Sequence, residues 1–341
     1  MSLRVTVGIV LHDSADDIRG CLSALAAQTR LPDAVVVLDN ASSDDGLERA
    51  RSAMPDARFE RCSVNAGFAA AHNRVIALEP ADVHVVLNPD CRLAPAFIER
   101  SVEALDTDPT IGAVSGRLLR FRDESTEGGP LQELPGDILD STGMVAHRNR
   151  RVLDRSSDLL AAGRDLAAAD VFGASGAAAV YRRTMLEDVA FDGEFLDEAF
   201  FAYREDVDLA WRAQLLGWRC RYVPTALARH RRRVAPGRRR RLPSRINRLS
   251  VANRWRMIAK NELAEGWRRD WRAIIARDVQ ILGFCALREQ RTLLAVVDVA
   301  GDAEGLRARR RDVMRRRHAA DDDILGWFGH RSERRVGEVL G

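Results

Sequence analysis

Two acidic clusters stand far apart in the chain. Asn88-Pro89-Asp90 closes an apolar run from Val83 to Leu87, and Glu205-Asp206-Val207-Asp208 opens a stretch that continues Leu209-Ala210-Trp211-Arg212. A carboxylate at a strand end can hold Mg²⁺ or Mn²⁺, cations that bridge carboxylates to phosphate oxygens. A second carboxylate, brought close by the fold, can take a proton from a hydroxyl. Each cluster also has a plain structural use. Pro89 suits the second position of a type I turn, and acidic residues complement the dipole at a helix N-terminus. Asp208 has Arg212 at i+4 as a natural ion-pair partner. A third carboxylate, Asp39, follows the apolar run Ala34 to Leu38 and precedes Asn40-Ala41-Ser42-Ser43-Asp44. It can accept a hydrogen bond from a pyrimidine N–H or a ribose hydroxyl, or it can close an Asx turn, with Asp44 the better helix cap.

The elements that must position these groups alternate. Arg4 to Leu11 is a short β-branched run, as expected of a buried parallel strand. Ser14 with Asp17 three residues on reads as a capping box for a helix bearing Ile18, Leu22 and Leu25. Further strands are expected over Ala34–Leu38, Arg58–Cys62, Val83–Leu87 and Ile111–Leu119. Helices are expected from Leu47 to Met54, from Phe68 to Leu78 and around Pro95, which is tolerated in a first helical turn. This alternation predicts an α/β fold with a mostly parallel sheet covered on both faces. Ligands of such sheets bind at the carboxyl ends of the strands, where both Asp39 and Asp90 lie. Residues 120–137 read as a mobile loop. Gly173-Ala174-Ser175-Gly176 allows another chain or a ligand to approach closely. Glu205 to Leu216 reads as a helix ended by Gly217, and Arg219 to Val223 as a strand, with His230 after it. Trp211 and Trp218 are expected in the core. Beyond residue 230 a basic connector leads into a helical region, giving expected units of 1–230 and 231–341.

A chain of 341 residues with 46% apolar content and a net charge of +3 has the make-up of a soluble globular protein and gives no overall case for a nucleic-acid partner. Lys260 is the only lysine, so Schiff-base chemistry has almost no candidate. Five scattered cysteines without a CxxC pair argue against structural zinc and a disulfide framework. The N-terminus carries no leader pattern and no apolar stretch is long enough to span a bilayer. The expected location is cytoplasmic, at most peripheral on the inner face of the cell membrane. Seven arginines between Arg231 and Arg241 surround Pro236-Gly237. They suit either a solvated connector or contact with an anionic leaflet, and no amphipathic helix is legible beside them. No GxGxxG follows the first strand and no GxxxxGK(S/T) occurs, which disfavours a Rossmann oxidoreductase and a P-loop NTPase.

In this order the motifs resemble family 2 glycosyltransferases of the GT-A fold. The segment Asn65-Ala66-Gly67, followed by Asn73, is similar to the family's N-x-G-x(5)-N, which implies a place near the donor's pyrophosphate, and a helix N-terminus at Phe68 would favour negative charge there. Asn88-Pro89-Asp90 stands where many members have Asp-x-Asp and is a variant found in rhamnosyltransferase-like members. Phe200-Phe201-Ala202-Tyr203 before Glu205-Asp206 points to the same branch. The resemblance implies donor contacts from Leu11, His12, Asp39, Asn65, Gly67, Asn73, Asn88 and Ser175. It implies a divalent metal, Mg²⁺ or Mn²⁺, on Asp90 and His230, and catalysis by Asp206 with Glu205 beside it. His12-Asp13 replaces the more usual Tyr-Asn. The implied reaction is inverting transfer of a sugar, plausibly L-rhamnose from dTDP-rhamnose, or a hexose from a UDP donor, to a glycan or lipid-linked acceptor. The alternative of another class is a non-catalytic sugar-nucleotide-binding or scaffold protein on the same fold.

Overall fold

In the computed structural model, residues 3–121, 131–232 and 243–329 and the backbone of 333–335 are described. The first half alternates as its periodicity predicts: β1 (Val5–Leu11), α1 (Ala15–Ala26), β2 (Ala34–Asp39), α2 (Gly46–Ala53), β3 (Arg58–Arg61), α3 (Gly67–Leu78), β4 (Val83–Leu87), β5 (Cys91–Leu93), α4 (Phe97–Asp106) and β6 (Ile111–Arg120). All seven residues of β1 are buried, because helices cover both faces of the sheet. Val5, Val7, Ile9 and Leu11 pack with residues of α1 and α4. Val10 packs on the other face with Ala71 and Val75 of α3. This is the period-2 alternation of a strand feeding two cores.

β7 (Leu139–Ser141), β8 (Met144–Ala146), β9 (Val152–Asp154) and β10 (Ala169–Val171) are short. After them come β11 (Ala178–Arg182), α5 (Arg183–Val189), α6 (Glu205–Leu215) and β12 (Arg219–His230). The main sheet runs β13-β10-β12-β6-β11-β4-β1-β2-β3, where β13 is Glu333–Arg335. It is parallel through β4-β1-β2-β3 and between β12 and β6. β11 runs antiparallel between β4 and β6. Leu11 pairs with Asp39 and Ile9 with Leu87. Ala178, at the start of β11, pairs with Leu87. One edge of the sheet therefore gathers the loops after β1, β2 and β4 and the loop before β11.

Several local expectations change. Ser14 makes no capping hydrogen bond. Its hydroxyl donates to the His12 carbonyl at 3.0 Å, and Asp44 accepts from the Ala15 N–H at 2.8 Å instead. Asp44 also accepts from Gly46 N–H, so one side chain serves the starts of two helices. α4 begins at Phe97, leaving Pro95 outside the helix. β12 does not stop at Val223. Its register against β6 jumps from Val223 to Leu227, so Pro224-Thr225-Ala226 bulge out where proline's missing N–H costs nothing, and the strand resumes to His230. Of the loop expected over 120–137, residues 122–130 lie outside the described residues.

The C-terminal helices are α7 (Ser244–Asn261), α8 (Ala264–Arg288), α9 (Ala295–Gly301), α10 (Ala303–Arg316) and α11 (Asp321–Leu325). They share one core with the sheet region. Phe172, Trp211 and Leu215 pack with Met257, Leu263, Trp327 and Phe328. Trp211 is fully buried. Trp218 is half-buried against the α5–α6 core and donates to Asp188 at 2.7 Å. Within the arginine run, Arg233 to Arg241 lie outside the described residues. Arg231 pairs with Asp17 at 3.2 Å, and Arg232 with Asp140 and Asp154 at 3.0 and 2.8 Å.

Candidate active site

The edge after β1 and β2 is tied together by amides. Asn40 donates to Asn65 Oδ1 at 3.1 Å and to the Gly67 carbonyl at 3.0 Å, and accepts from the Ala66 N–H at 2.9 Å. Asn65 in turn meets His12 Nε2 at 3.0 Å. The Leu11 carbonyl accepts from the Asn40 N–H at 2.8 Å. Asn40 was missed as a functional residue, although its place directly after Asp39 at a strand end was visible. Asp39 is buried and does two things. Oδ1 accepts from the Ser42 N–H at 2.9 Å, the Asx turn allowed by the sequence, and Oδ2 pairs with Arg61 at 3.0 Å. The Arg61 side chain is 61% exposed, so a ligand can displace it without moving the fold.

The α3 N-terminus is not a free anion site. Phe68 and Ala69 donate their N–H groups to the Phe201 carbonyl at 2.6 and 3.2 Å. Gly67 has φ +86°, and a Cβ there would stand 2.5 Å from that carbonyl. The expected phosphate-favouring helix end is thus filled by the chain itself. Asn73 is likewise turned to structure. Its amide exchanges hydrogen bonds with the Leu196 backbone at 2.7 and 2.9 Å and reaches Glu198 at 3.0 Å.

After β4 the chain turns, with the Cys91 N–H donating to the Asn88 carbonyl at 3.1 Å across Pro89-Asp90. Asp90 Oδ1 lies 3.3 Å from His230 Nε2, and Asp140 Oδ2 lies 2.7 Å from His230 Nδ1. Burial works against charge on this imidazole, but the two carboxylates outweigh it and raise the pKa to about 10. Burial would raise Asp140, yet His230 and Arg232 hold it down to about 2. Asp140 carried no sequence signal, because it sits in a three-residue strand 50 residues beyond Asp90.

The Asn88 N–H donates to the Ala177 carbonyl at 2.9 Å, which brings in the small-residue loop with Ser175. What approaches that loop is α6. A Cβ on Gly173 would meet Ala210 at 2.4 Å. The Gly176 N–H donates to Asp206 Oδ2 at 3.0 Å, and the Val207 N–H to Oδ1 at 2.8 Å. Burial raises the Asp206 pKa, opposed by these two N–H donors. Glu205 is buried and pushed well above the usual carboxylate range by desolvation and by Asp206. Its Oε2 finds no hydrogen-bond partner among the described residues. Burial thus favours the neutral form of both carboxyls, more strongly at Glu205.

The backbone entering α6 is strained. Phe201, Tyr203 and Arg204 have φ of +59°, +71° and +71°. Residues in such regions cost about 1–3 kcal/mol each and persist only when their surroundings hold them. Asn253 of α7 does so, its amide donating to the carbonyls of Phe200, Ala202 and Tyr203 at 2.8, 3.0 and 2.8 Å. Two residues along α6, Asp208 binds Arg212 at 2.9 Å, as its spacing predicts. It also accepts from Lys260 and Asn261, both at 2.8 Å, and Lys260 pairs in addition with Asp197.

No group of three or more His, Cys, Asp or Glu side chains among the described residues is arranged to hold a metal ion. The Asp90–His230 pair still fits a divalent cation as a half-site. A carboxylate and an imidazole nitrogen face each other, Asp140 fixes the imidazole through its other nitrogen, and the remaining ligands can come from a diphosphate. Such a mixed donor set suits Mn²⁺ better than Mg²⁺.

A sheet of this order, with carboxylates at its strand ends, is the GT-A glycosyltransferase fold. Solved structures sharing it include a mannosyltransferase from Pyrobaculum calidifontis in complex with GDP-Man and Mn²⁺, at TM-score 0.53 and 17% identity, covering 96% of this chain and 86% of that one. S. aureus TarS 1-349 matches at TM-score 0.55 and 15% identity, covering 95% and 91%. GalNAc-T7, crystallised with UDP, GalNAc and Mn²⁺, matches at TM-score 0.60 and 13% identity, covering 89% and 57%. The chain belongs to glycosyl transferase family 2, whose profile matches residues 6–190. Within it the chain is similar to an N-acetylglucosaminyl-diphospho-decaprenol L-rhamnosyltransferase of Mycobacterium tuberculosis, 30% identical over 231 residues, 64% of this chain and 72% of the relative. It is also similar to the O-antigen chain rhamnosyltransferase RfbN of Salmonella typhimurium, 24% identical over 235 residues, 69% and 68% of the two chains. It is a rhamnosyltransferase-like glycosyltransferase.

Proposed function

We propose that this chain is an inverting rhamnosyltransferase that moves L-rhamnose from dTDP-rhamnose to a lipid-linked glycan acceptor at the inner face of the membrane. Two named rhamnosyltransferases among its relatives, one acting on a diphospho-decaprenol acceptor, support the sugar and the acceptor class. The observation that carries the mechanism is the placing of Asp206, accepting hydrogen bonds from Gly176 and Val207 in a partly buried setting that raises its pKa.

Asp206 takes the proton of the acceptor hydroxyl as that oxygen attacks the anomeric carbon. The bond from the anomeric carbon to the diphosphate oxygen breaks, its electron pair leaves with the nucleoside diphosphate, and the configuration inverts. Glu205, whose neutral form burial favours, limits the second negative charge beside the base. Asp90 and His230 Nε2 would hold the divalent cation, whose charge would offset that of a departing diphosphate, and His230 would bind it in its neutral form. On the donor side, Asp39 exchanges Arg61 for the nucleoside, with Leu11, His12, Asn65, Gly67, Asn88 and Ser175 around it and Asn40 holding the two loops in place. Residues 1–230 form the transferase unit, and 231–341 a helical region that buttresses α6.

The test is release of nucleoside diphosphate from dTDP-rhamnose, with UDP- and GDP-sugars as competitors, in Mg²⁺, Mn²⁺ or EDTA. Turnover with dTDP-rhamnose and its loss in EDTA are expected. Preference for a UDP-hexose would overturn the donor, and full activity in EDTA the metal. Donor binding without turnover on any acceptor would favour a scaffold. Calorimetry of Asp90→Ala should show donor affinity lowered only in the presence of metal, with a milder form of the defect in His230→Ala.

A further inference from the structure

Nine of the sixteen large apolar side chains exposed among the described residues lie between Trp267 and Val297. The densest row is on α8, where Trp267, Trp271, Ile275 and Val279 follow one another at i+4 and are 42%, 46%, 41% and 62% exposed. Residues four apart are neighbours on a helix surface, so these four form one ridge of about 18 Å. Leu287, 81% exposed, lies further along the same helix. In its 25 residues α8 buries only Gly266, Asp270, Ile274 and Cys285, and toward its C-terminal end Cys285 and Ile281 pack against α7.

The charge on this face has one dominant sign. Each tryptophan is followed by an exposed arginine, Arg268 and Arg272, and Arg272 lies over the Trp271 ring at 5.4 Å. Two acidic residues of α8 near the ridge are neutralised by arginines outside the helix, Asp270 by Arg148 and Arg150 and Asp278 by Arg254, while Glu265 meets Arg268 in an exposed pair that a phosphate can displace. Tryptophan has an apolar body and a polar N–H and settles at the level of lipid headgroups, where guanidinium groups reach phosphates. No helix among the described residues is long and apolar enough to cross a membrane, and an amphipathic face that does bind a bilayer lies in its interface.

We propose that the outer face of α8 is a docking surface for an anionic lipid bilayer, with Trp267 and Trp271 inserted among the headgroups and Arg268 and Arg272 on lipid phosphates. The C-terminal end of the helix meets the start of α7 at a cleft of about 630 Å³ lined by Phe284, Leu287, Arg288 and Arg291. Beside it Arg245 lies over the ring of Phe201, in the strained loop ahead of Asp206. Through Phe201 this end of α8 and α7 adjoins the loop that leads into Asp206. The inference rests on the lipid-linked-acceptor reading for its purpose, but its measurement needs neither donor nor turnover.

The test uses the full chain with vesicles of phosphatidylcholine alone or with phosphatidylglycerol. Sedimentation with the anionic vesicles is expected, weakening in about 0.5 M salt, where screening is nearly complete within about 5 Å. Tryptophan fluorescence should be quenched by brominated lipid in those vesicles. Trp267→Ser combined with Trp271→Ser should lower vesicle affinity at least about tenfold, by loss of two buried aromatic rings, while leaving transfer to a water-soluble acceptor unchanged. Equal binding to neutral and anionic vesicles overturns the proposal, as does the absence of quenching in the unmodified protein, which depends on no variant. A concentration-dependent dimer abolished by the same substitutions, without vesicle binding, assigns the face to a second copy instead. Vesicle binding with no transfer on any acceptor leaves this surface standing and removes the transferase reading alone.

Discussion

The donor side and the catalytic side of the cleft are built in opposite ways. On the donor side, His12, Asn40 and Asn65 bind one another through loops that follow neighbouring strands, and His12 and Asn65 are exposed. On the catalytic side, Asp206 opens a helix whose next turn is locked by Asp208, Arg212, Lys260 and Asn261, all buried. Its entry loop hangs from Asn253, 50 residues further along the chain. One side can adapt around a ligand at little cost. The other is fixed before any ligand arrives, as suits a base that must lie within hydrogen-bond reach of one hydroxyl.

This contrast is most open to attack at its centre. Asp206→Asn should lower turnover by about 10²–10⁴-fold and leave donor affinity nearly intact. The rate of the unmodified enzyme should fall at acid pH. Burial raises the Asp206 pKa, so the base is lost by protonation above the ordinary carboxylate range as the pH drops. A pH–rate profile of kcat reads this limb directly, and the Asp206→Asn variant should lack it; an unchanged profile would take the role away from Asp206.

Lys260→Met should cost about 3–5 kcal/mol of stability, because Asp197 and Asp208 are left buried without their shared cation. Urea unfolding measures it, and a loss below about 1 kcal/mol would mean that the catalytic side is not locked as described. Asn253→Ala removes four hydrogen bonds, the three to the entry loop and one that Oδ1 accepts from Arg256 at 3.0 Å, and should cost about 2–4 kcal/mol, at roughly 1 kcal/mol for each. Because the loop it holds carries Asp206, kcat should fall more than KM changes. The smallest effect belongs to the donor side. Asn65→Ala should change stability by no more than about 1 kcal/mol, the scale of an exposed polar contact, and act mainly on donor KM. If Asn65→Ala destabilises as much as Asn253→Ala, the two sides are not different in kind.

Sequence legibility followed the range of the interactions. The strands β1 to β4 and β6, the Asn88-Pro89-Asp90 turn and the Asp208–Arg212 pair rest on neighbours within a few residues, and pattern alone reaches them, whereas the three-residue β5 gave no signal. Asp140, Asn253 and Lys260 act across 50 residues or more, and nothing at their own positions announces it. β7 to β10 have three residues each, too few for any period. The bulge that carries β12 past Pro224 to His230 depends on β6 beside it, so the proline read as a stop. The α3 N-terminus shows the reverse error. A free helix end was a sound local reading, and the Phe201 carbonyl occupies it. On α8 the Trp-Arg pairs were visible in the sequence, but their exposure was not, because a ridge at i+4 reads equally well as a core face.

Lys260 is the chain's only lysine and is 1% exposed. Reagents that acylate amines will therefore find no accessible lysine while α6 and α7 stay joined. Once that junction opens, a single side-chain ammonium becomes available, and an acyl group added beyond that on the chain's α-amino group marks each molecule in which it has done so. The rate of acylation at this one position is a clock for local opening of the catalytic anchor, readable in whole-protein mass spectra without labels, and ligands that brace the cleft should slow it.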